Sequence, residues 1–309
     1  MNNLKKIGLT ALGTALISST ASVAGDMSVT GSAIMTFTGK DNASNGNGWT
    51  MSDTMSFSGS GELDNGWTVS MSHAIDNGAN DANSITVDMG DAGSVTFAGL
   101  GGSGPVEATD DVMPTANEES WATVAGTVSG LADGSEGNGN FTYVLPTLVD
   151  GLALEVFHQP QETGTGSSTE YKAVFTGVEG LEIGYAGGEN NDSLTNAIDN
   201  TNLWAKYTMD AFTFGIQSNQ EDEQTASADT DFNAIGISYA VSDELSVSYG
   251  ESKTDHQNTS LIDQEASALS VSYVSGGMTI GASTHSVDNV GGATATDNKG
   301  YEVNITFAF

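Results

Sequence analysis

The last ten residues, GYEVNITFAF at positions 300–309, alternate between large apolar side chains and polar or small ones. The apolar members are Tyr301, Val303, Ile305, Phe307 and Phe309. Successive side chains of a β-strand point to opposite faces of the sheet. The stretch therefore predicts a strand with one aliphatic and aromatic face and one face of glutamate, asparagine, threonine and alanine.

The same two-residue period recurs from residue 26 onward and predicts sixteen strands. These strands lie near residues 27–38, 51–61, 67–75, 84–89, 94–99, 140–145, 151–158, 169–177, 181–187, 202–209, 211–218, 231–240, 244–252, 266–274, 278–286 and 300–309. Most approach the length of a tilted strand that crosses a bilayer, about 9–11 residues. Several aromatic residues near the predicted strand ends are expected at the two membrane interfaces: Trp67, Tyr185, Tyr207, Tyr249, Tyr273, Phe307 and Phe309.

Short and long connections between these strands alternate along the chain. Seven tight turns separate eight long connections, at 39–50, 76–83, 100–139, 159–168, 188–200, 219–230, 253–264 and 287–298. Alternate connections of a meander lie at opposite ends of the sheet, so one end is predicted to carry turns and the other loops. This asymmetry is typical of outer-membrane barrels. The sequence thus predicts an all-β fold, a transmembrane antiparallel β-barrel of 16 strands whose closed sheet pairs every amide within the protein.

The composition excludes several classes of protein. The chain has 309 residues and a formal net charge of −33, from 40 Asp and Glu against 7 lysines, with no arginine and no cysteine. Such a polyanion would repel nucleic acid, so no nucleic-acid partner is expected. The absence of cysteine excludes disulfides and thiolate-ligated metals. Low hydrophobicity, at 38%, with high net charge usually indicates disorder, but a water-filled barrel needs only one apolar face on each strand.

The N-terminal residues have the pattern of an export signal. Lys5 and Lys6 precede a mostly apolar segment at 7–17, and small residues follow it up to Ala24. This pattern predicts a signal peptide at 1–24 and a barrel domain at 25–309. No later apolar run approaches about 18 residues, so no transmembrane helix is predicted.

The connection at 100–139 is too long for a simple turn and is rich in carboxylates. It contains Glu107, Asp110, Asp111, Glu118 and Glu119, together with Pro105, Pro114 and Trp121. On pattern alone, two interpretations stay open. The segment folds into the channel and narrows it, or it is a solvated loop outside the barrel.

Two segments resemble a known family. Residues 108–121, ATDDVMPTANEESW, resemble the third loop of the general-diffusion porins of Gram-negative bacteria, nearest to the alphaproteobacterial branch. Residues 300–309 resemble the last strand of these porins, whose terminal phenylalanine, here Phe309, is the signal that the barrel-assembly machinery reads. The resemblance implies a homotrimer in the outer membrane, in contact with lipid and lipopolysaccharide. It also implies that 100–139 is folded into the lumen as the constriction loop.

The charge pattern departs from that of similar porins, which set the acids of the third loop against arginines on the opposite wall. This chain has no arginine. By strand phase, the lysines predicted on the lumen wall are Lys172 and Lys206, with a position at the rim as the alternative, and the acids predicted there are Asp88, Glu155, Glu182 and Glu302. A lumen with mostly one sign of charge concentrates counter-ions and repels co-ions. We therefore expect a porin with a cation-preferring channel for ions and small hydrophilic solutes.

Other functions receive less support from the residues. No cofactor is required, although Asp110 and Asp111 are candidate calcium ligands, with simple solvation as the alternative. An enzyme is disfavoured because adjacent residues in a strand point to opposite faces, so Asp255 cannot easily orient the neighbouring His256 as a catalytic triad requires. The alternative from another class is a secreted acidic β-rich adhesin or surface-layer protein, which would have a similar composition.

Overall fold

The computed structural model describes residues 27–40, 48–124, 134–162, 166–193, 196–224 and 228–309. The predicted signal peptide at 1–24 lies outside these residues. The described strands are β1 (Met27–Lys40), β2 (Gly48–Glu62), β3 (Thr68–Asp76), β4 (Ala79–Asp88), β5 (Ser94–Leu100), β6 (Gly102–Ser103), β7 (Glu136–Gly137), β8 (Asn140–Val144), β9 (Leu152–Gln159), β10 (Ser168–Val178), β11 (Leu181–Ser193), β12 (Asn196–Met209), β13 (Phe212–Glu223), β14 (Thr230–Ala240), β15 (Leu245–His256), β16 (Gln264–Ser275), β17 (Met278–Asp288) and β18 (Asn298–Ala308).

Sixteen of these strands form one closed barrel in which each strand runs antiparallel to both neighbours. The two shortest, β6 and β7, pair only with each other, within the long connection between β5 and β8. The predicted 16-stranded antiparallel barrel is therefore confirmed. Among the residues that the structure describes, no helix is long and apolar enough to cross a membrane.

The barrel closes where the first strand meets the last. β1 pairs with β18 from Lys40 opposite Gly300 to Ser32 opposite Ala308. Beyond this ladder, Phe309 and Gly31 exchange two backbone hydrogen bonds, of 2.8 and 2.9 Å. The terminal phenylalanine thus extends the closing ladder, while its role as an assembly signal stays a prediction.

The two faces of the wall differ as the alternation predicts. On β15, the phenol of Tyr249 faces outward and is 43% exposed, whereas the adjacent Ser248 faces the interior and is 6% exposed. The aromatic residues predicted near the membrane interfaces all have exposed outward side chains. Apolar side chains cover the outer surface, and polar side chains line the inner wall.

The strands extend further toward the long loops than the sequence predicts. β11 continues to Ser193 instead of 187, and β12 begins at Asn196 instead of 202. In these extensions, both faces carry polar residues, so the hydrogen-bonded ladder continues where the alternation has stopped. Alternation marks only the part of a strand that has one apolar face.

The predicted long connection at 76–83 is wrong. β3 ends at Asp76 and β4 begins at Ala79, so only Asn77 and Gly78 form the turn. Both have positive φ, of 48° and 81°, as the two central residues of a tight hairpin of type I′ require. The Asn-Gly pair is a strong hairpin signal that the polar character of 79–83 had obscured.

Candidate functional site

The long connection between β5 and β8 lies against the inner wall of the barrel. Its described part, residues 101–124 and 134–139, makes hydrogen bonds to inward-facing side chains of β10, β12, β13, β15, β16, β17 and β18. Residues 125–133 lie outside the described residues. The segment thus follows roughly half of the wall. We call residues 104–124 the inner loop.

One buried carboxylate holds both ends of this connection. Glu170 on β10 is 1% exposed. Its Oε2 accepts a hydrogen bond from the backbone N–H of Val106 at 2.8 Å, and its Oε1 accepts one from Ser135 at 2.5 Å. A side chain at Gly104 would collide with this carboxylate, so glycine permits the close approach.

Three amide side chains hold the first half of the inner loop. Asn202 on β12 is fully buried and donates hydrogen bonds to the carbonyl of Val106 at 2.8 Å and to the hydroxyl of Thr109 at 3.0 Å. The neighbouring contacts come from Gln217 and Asn219 on β13, whose amide groups donate to the Asp110 carbonyl at 2.7 and 2.9 Å. Gln217 also accepts the N–H of Val112 at 3.0 Å. Side chains of the wall therefore satisfy these backbone groups of the loop.

Hydroxyl groups of the wall hold the second half of the inner loop. The hydroxyl of Ser248 accepts the N–H of Ala116 at 2.7 Å, and that of Ser270 donates to the Glu118 carbonyl at 3.1 Å. Nearby, Ser120 and Ser252 share a hydrogen bond of 2.7 Å. The polar residues that alternation predicts to face water are thus partly covered by the loop.

Glycines on the wall provide space for the loop. Gly215 on β13 and Gly236 on β14 are register partners, and both contact Pro114. A Cβ at Gly236 would lie 3.1 Å from Pro114 Cδ, and a Cβ at Gly215 would lie closer still. Glycine inside a strand often marks such a close approach.

Two apolar clusters complete the attachment. Trp121 packs edge-on against Phe232 of β14, with ring centroids 4.9 Å apart, in a cluster with Val124 and Val287. At the other end of the inner loop, Val106 packs with Trp204 and Ala186. Burial of these large side chains contributes about 1.5–3 kcal/mol each.

Four of the five predicted loop acids form a cluster on the inner loop. Burial, together with the neighbouring Glu119 carboxylate, raises the pKa of Asp111 to about 8. Burial and the charge of Glu302 on β18 raise the pKa of Glu118 to about 7. The pKa of Asp110 is also raised, by burial first and then by Glu119. The fifth acid, Glu107, lies apart, at the start of a short 3-10 helix at Glu107–Thr109.

The predicted wall lysines are each paired with a predicted wall acid. Lys172 Nζ lies 2.7 Å from Glu155 Oε2, and the two residues are register partners on β10 and β9. Lys206 Nζ lies 2.8 Å from Glu182 Oε1 across β12 and β11. Trp204 also donates to Glu182 at 2.9 Å. These four side chains therefore contribute little net charge to the lumen.

The other two predicted wall acids have different surroundings. Glu302 faces inward and accepts a hydrogen bond from Asn304 at 3.3 Å, next to Glu118 of the inner loop. Asp88 lies at the end of β4, where its carboxylate accepts the N–H of Gly90 at 2.9 Å and closes a short turn. Glu302 is thus brought together with the loop acids, whereas Asp88 is not.

The wall across from the inner loop is lined mainly by hydroxyl groups. On β1 to β5, most inward residues between the strand ends are serine or threonine: Ser32, Thr36, Thr54, Ser56, Ser58, Ser70, Ser72, Ser84, Thr86 and Thr96. The charged inward residues of these strands, Lys40, Glu62, Asp76 and Asp88, lie at strand ends. The arginine wall of similar porins has no counterpart here.

The arrangement of the described side chains gives no support to the hypothesis that Asp110 and Asp111 bind calcium. Within the described ranges, no three His, Cys, Asp or Glu side chains are grouped so that they could hold a metal ion. Asp110 and Asp111 therefore stay predicted ligands only. Asp255 and His256 point to opposite faces of β15, as their adjacency implies.

Comparisons with known proteins agree with this architecture. The sequence model of the Gram-negative porin family matches residues 8–260. OmpF of Salmonella typhi, solved in complex with daunomycin, is 15% identical, with a TM-score of 0.71 over 93% of this chain and 98% of that chain. An anion-selective porin from Comamonas acidovorans is 14% identical, with a TM-score of 0.68 over 92% of this chain and 100% of that chain.

A trimer form of OmpT from Vibrio cholerae gives a similar result. It is 12% identical, with a TM-score of 0.71 over 93% of this chain and 100% of that chain. No curated protein matches the sequence. At these identities, the structural likeness shows the fold.

Proposed function

The chain belongs to the Gram-negative porin family and forms an outer-membrane β-barrel, and from this premise we propose that it is a cation-preferring channel. Its cargo is ions and small hydrophilic solutes that diffuse passively. The inner loop is the constriction, because it occupies the inner wall along roughly half of the circumference. We assign no catalytic role to the chain, and the adhesin alternative has no support in the comparisons.

The distribution of charge carries this proposal. An anion-selective porin shares the fold, so the sign of selectivity must come from particular side chains. Here, Lys172 and Lys206 are neutralised by wall glutamates, and the facing wall is lined by hydroxyl groups. The unbalanced charge near the inner loop therefore comes from carboxylates, which favour cations.

The zero-current potential across a planar bilayer under a KCl gradient tests whether the channel prefers cations or anions. We expect K⁺ to be favoured, and we expect Glu182→Gln to lower the permeability ratio of K⁺ to Cl⁻ by about two- to fivefold, because it leaves Lys206 unpaired in the lumen. The matched control is Glu244→Gln, which removes a carboxylate from an exposed short turn. A chloride-selective sign for the unmodified protein would contradict the proposal.

We propose a homotrimer in which β1 to β3 form the contact face. The outward side of these strands carries five exposed methionines, Met27, Met35, Met51, Met55 and Met71. It also carries the carboxylate of Asp53 between Met51 and Met55, and His73 beside Met71. Charged side chains on a lipid-facing surface destabilise a barrel, so this polar and adaptable face fits a protein neighbour better than hydrocarbon.

Two variants, in each of which one outward-facing alanine is replaced by tryptophan, test this contact face. Ala33→Trp on β1, opposite Asp53 in register, is expected to make SDS-resistant trimers dissociate at lower temperature, because overpacking costs about 1–3 kcal/mol at each interface. Ala173→Trp on β10, between Tyr171 and Phe175 on the far wall, is expected to leave the trimer intact. Equal dissociation temperatures for the two variants would exclude this contact face.

A further inference from the structure

A groove with a volume of about 780 Å³ lies on the outer surface of the wall between β11 and β17. Its floor follows one line of register partners: Ile183, Ala205, Ile216, Ile235, Glu251, Ser267 and Ser286. All seven side chains point away from the lumen, by the phase of their strands. The groove is therefore open to the lipid side of the barrel.

The groove rises through the membrane rather than running level with it. Strands of such barrels tilt by about 35–45° from the axis, so a line perpendicular to them climbs by roughly 3 Å for each strand crossed. The residues along the line change with this climb. Those on β11 to β14 are three isoleucines and Ala205, and those on β15 to β17 are Glu251, Ser267 and Ser286. Six strand spacings of about 4.8 Å give a length of roughly 29 Å.

The lower end of the groove is apolar. Ile216 and Ile235 are 60% and 53% exposed, and Leu203 beside them is 52% exposed. These residues lie in the apolar band that faces lipid. An acyl chain that lies along them would bury this surface and stay in hydrocarbon.

The upper end of the groove carries an excess of negative charge. Glu251, Glu265 and Asp288 line it, and the phenol of Tyr249 donates to Glu251 Oε1 at 2.6 Å. The lining lysine, Lys253, is already bridged to Asp255 and to Asp263, the latter at 2.9 Å. A head group that bears only phosphate would meet net repulsion here, whereas an ammonium group would be attracted.

We propose that this groove binds a lipid with a primary-ammonium head group, with an acyl chain along the isoleucines and the ammonium between Glu251 and Glu265. For a zwitterionic lipid, the neighbouring Lys299, whose register partner is Ser286, faces the phosphate. The site is on the outside of the wall, so it does not depend on the selectivity proposed for the channel.

Lipid retention by the purified, folded protein tests the site. Detergent-solubilised protein is given equal amounts of phosphatidylethanolamine and phosphatidylglycerol with the same acyl chains, and bound lipid is counted by native mass spectrometry. We expect about fivefold more phosphatidylethanolamine, as one partly exposed ion pair would give. Glu251→Gln should remove this preference, and Glu244→Gln, in an exposed turn, should retain it.

A second variant separates the groove from general lipid adhesion. Ile235→Trp fills the apolar end and should reduce retention of both lipids, while heat-modifiable migration on SDS gels confirms that the barrel is folded. Equal retention of the two lipids by the unmodified protein would overturn the proposal. It would also be overturned if Mg²⁺ raised phosphatidylglycerol retention to the level of phosphatidylethanolamine, since the groove would then bind bridged phosphate.

Discussion

Replacement of Glu170 by alanine is expected to raise single-channel conductance about two- to threefold, the largest effect of any single substitution in the wall. The buried carboxylate accepts hydrogen bonds from Val106 and Ser135, at the two ends of the connection that carries the inner loop. A hydrogen bond to a charged group contributes about 1.5–3 kcal/mol. Loss of both hydrogen bonds releases the two ends of the connection, while the barrel keeps the backbone hydrogen bonds between its strands.

The measurement is single-channel recording in KCl, on protein whose folding is checked by heat-modifiable migration. Glu170→Gln should give an intermediate conductance, because its amide retains one acceptor oxygen. The matched control is Glu155→Gln on the adjacent strand, which removes an inner-wall carboxylate that pairs with Lys172 and not with the loop. We expect Glu155→Gln to have the conductance of the unmodified protein. If Glu170→Ala had that same conductance, Glu170 would not be the anchor of the loop.

A substitution on the opposite side of the contact tests the same anchor. Gly104→Ala places a methyl group against the Glu170 carboxylate. It should raise the conductance in the same direction without a change of charge. This agreement would separate the loss of loop attachment from an electrostatic effect of removing a carboxylate.

The sixteen strands could be predicted because membrane-facing segments of a barrel must keep one apolar face. Beyond those segments the constraint disappears, so the polar ends of β11 and β12 were missed. The ion pairs between side chains of the wall were also not predicted, although the register of neighbouring strands indicates one of them. Pairing outward from the predicted strand ends at 158 and 169 places Glu155 opposite Lys172, as the structure does.

The wall residues that hold the inner loop were not predictable in the same way. Glu170, Asn202 and Gln217 follow the inward phase of their strands, like the many polar residues that simply face water. Their role depends on where a distant loop lies, and no local pattern carries that information. Gly215 and Gly236 did carry a signal, since glycine in a strand interior often marks a close approach.

Cation selectivity is expected to rise between pH 6 and pH 9, the second large effect. The pKa of Glu118 is raised to about 7 and that of Asp111 to about 8, by burial first in both cases. Both carboxyls are therefore protonated at pH 6 and ionised at pH 9, which adds two negative charges to the inner loop. The groups that face them are Glu119 and Asp110 around Asp111, and Glu302 and Glu119 around Glu118.

The same titration should loosen the inner loop. A carboxyl whose pKa is higher in the folded protein than its ordinary value near 4 retains a proton that the unfolded chain has lost, so its contribution to stability falls as pH rises from about 4 to 8. Ionised Asp111 and Glu118 also repel Glu119 and Glu302. His285, buried on β17, lies within electrostatic range of the last two. We therefore expect conductance to rise together with the selectivity.

Variants in which one carboxyl is replaced by an amide show which residue causes each step in the pH dependence of the selectivity. The ratio of K⁺ to Cl⁻ permeability, taken from zero-current potentials at each pH, should rise about two- to fivefold in the unmodified protein. Glu118→Gln should remove the step near pH 7 and Asp111→Asn the step near pH 8, whereas Asp243→Asn, in an exposed short turn, should leave both. A ratio that falls as pH rises would contradict the charge assignment, because ionisation of these carboxyls can only make the lumen more negative.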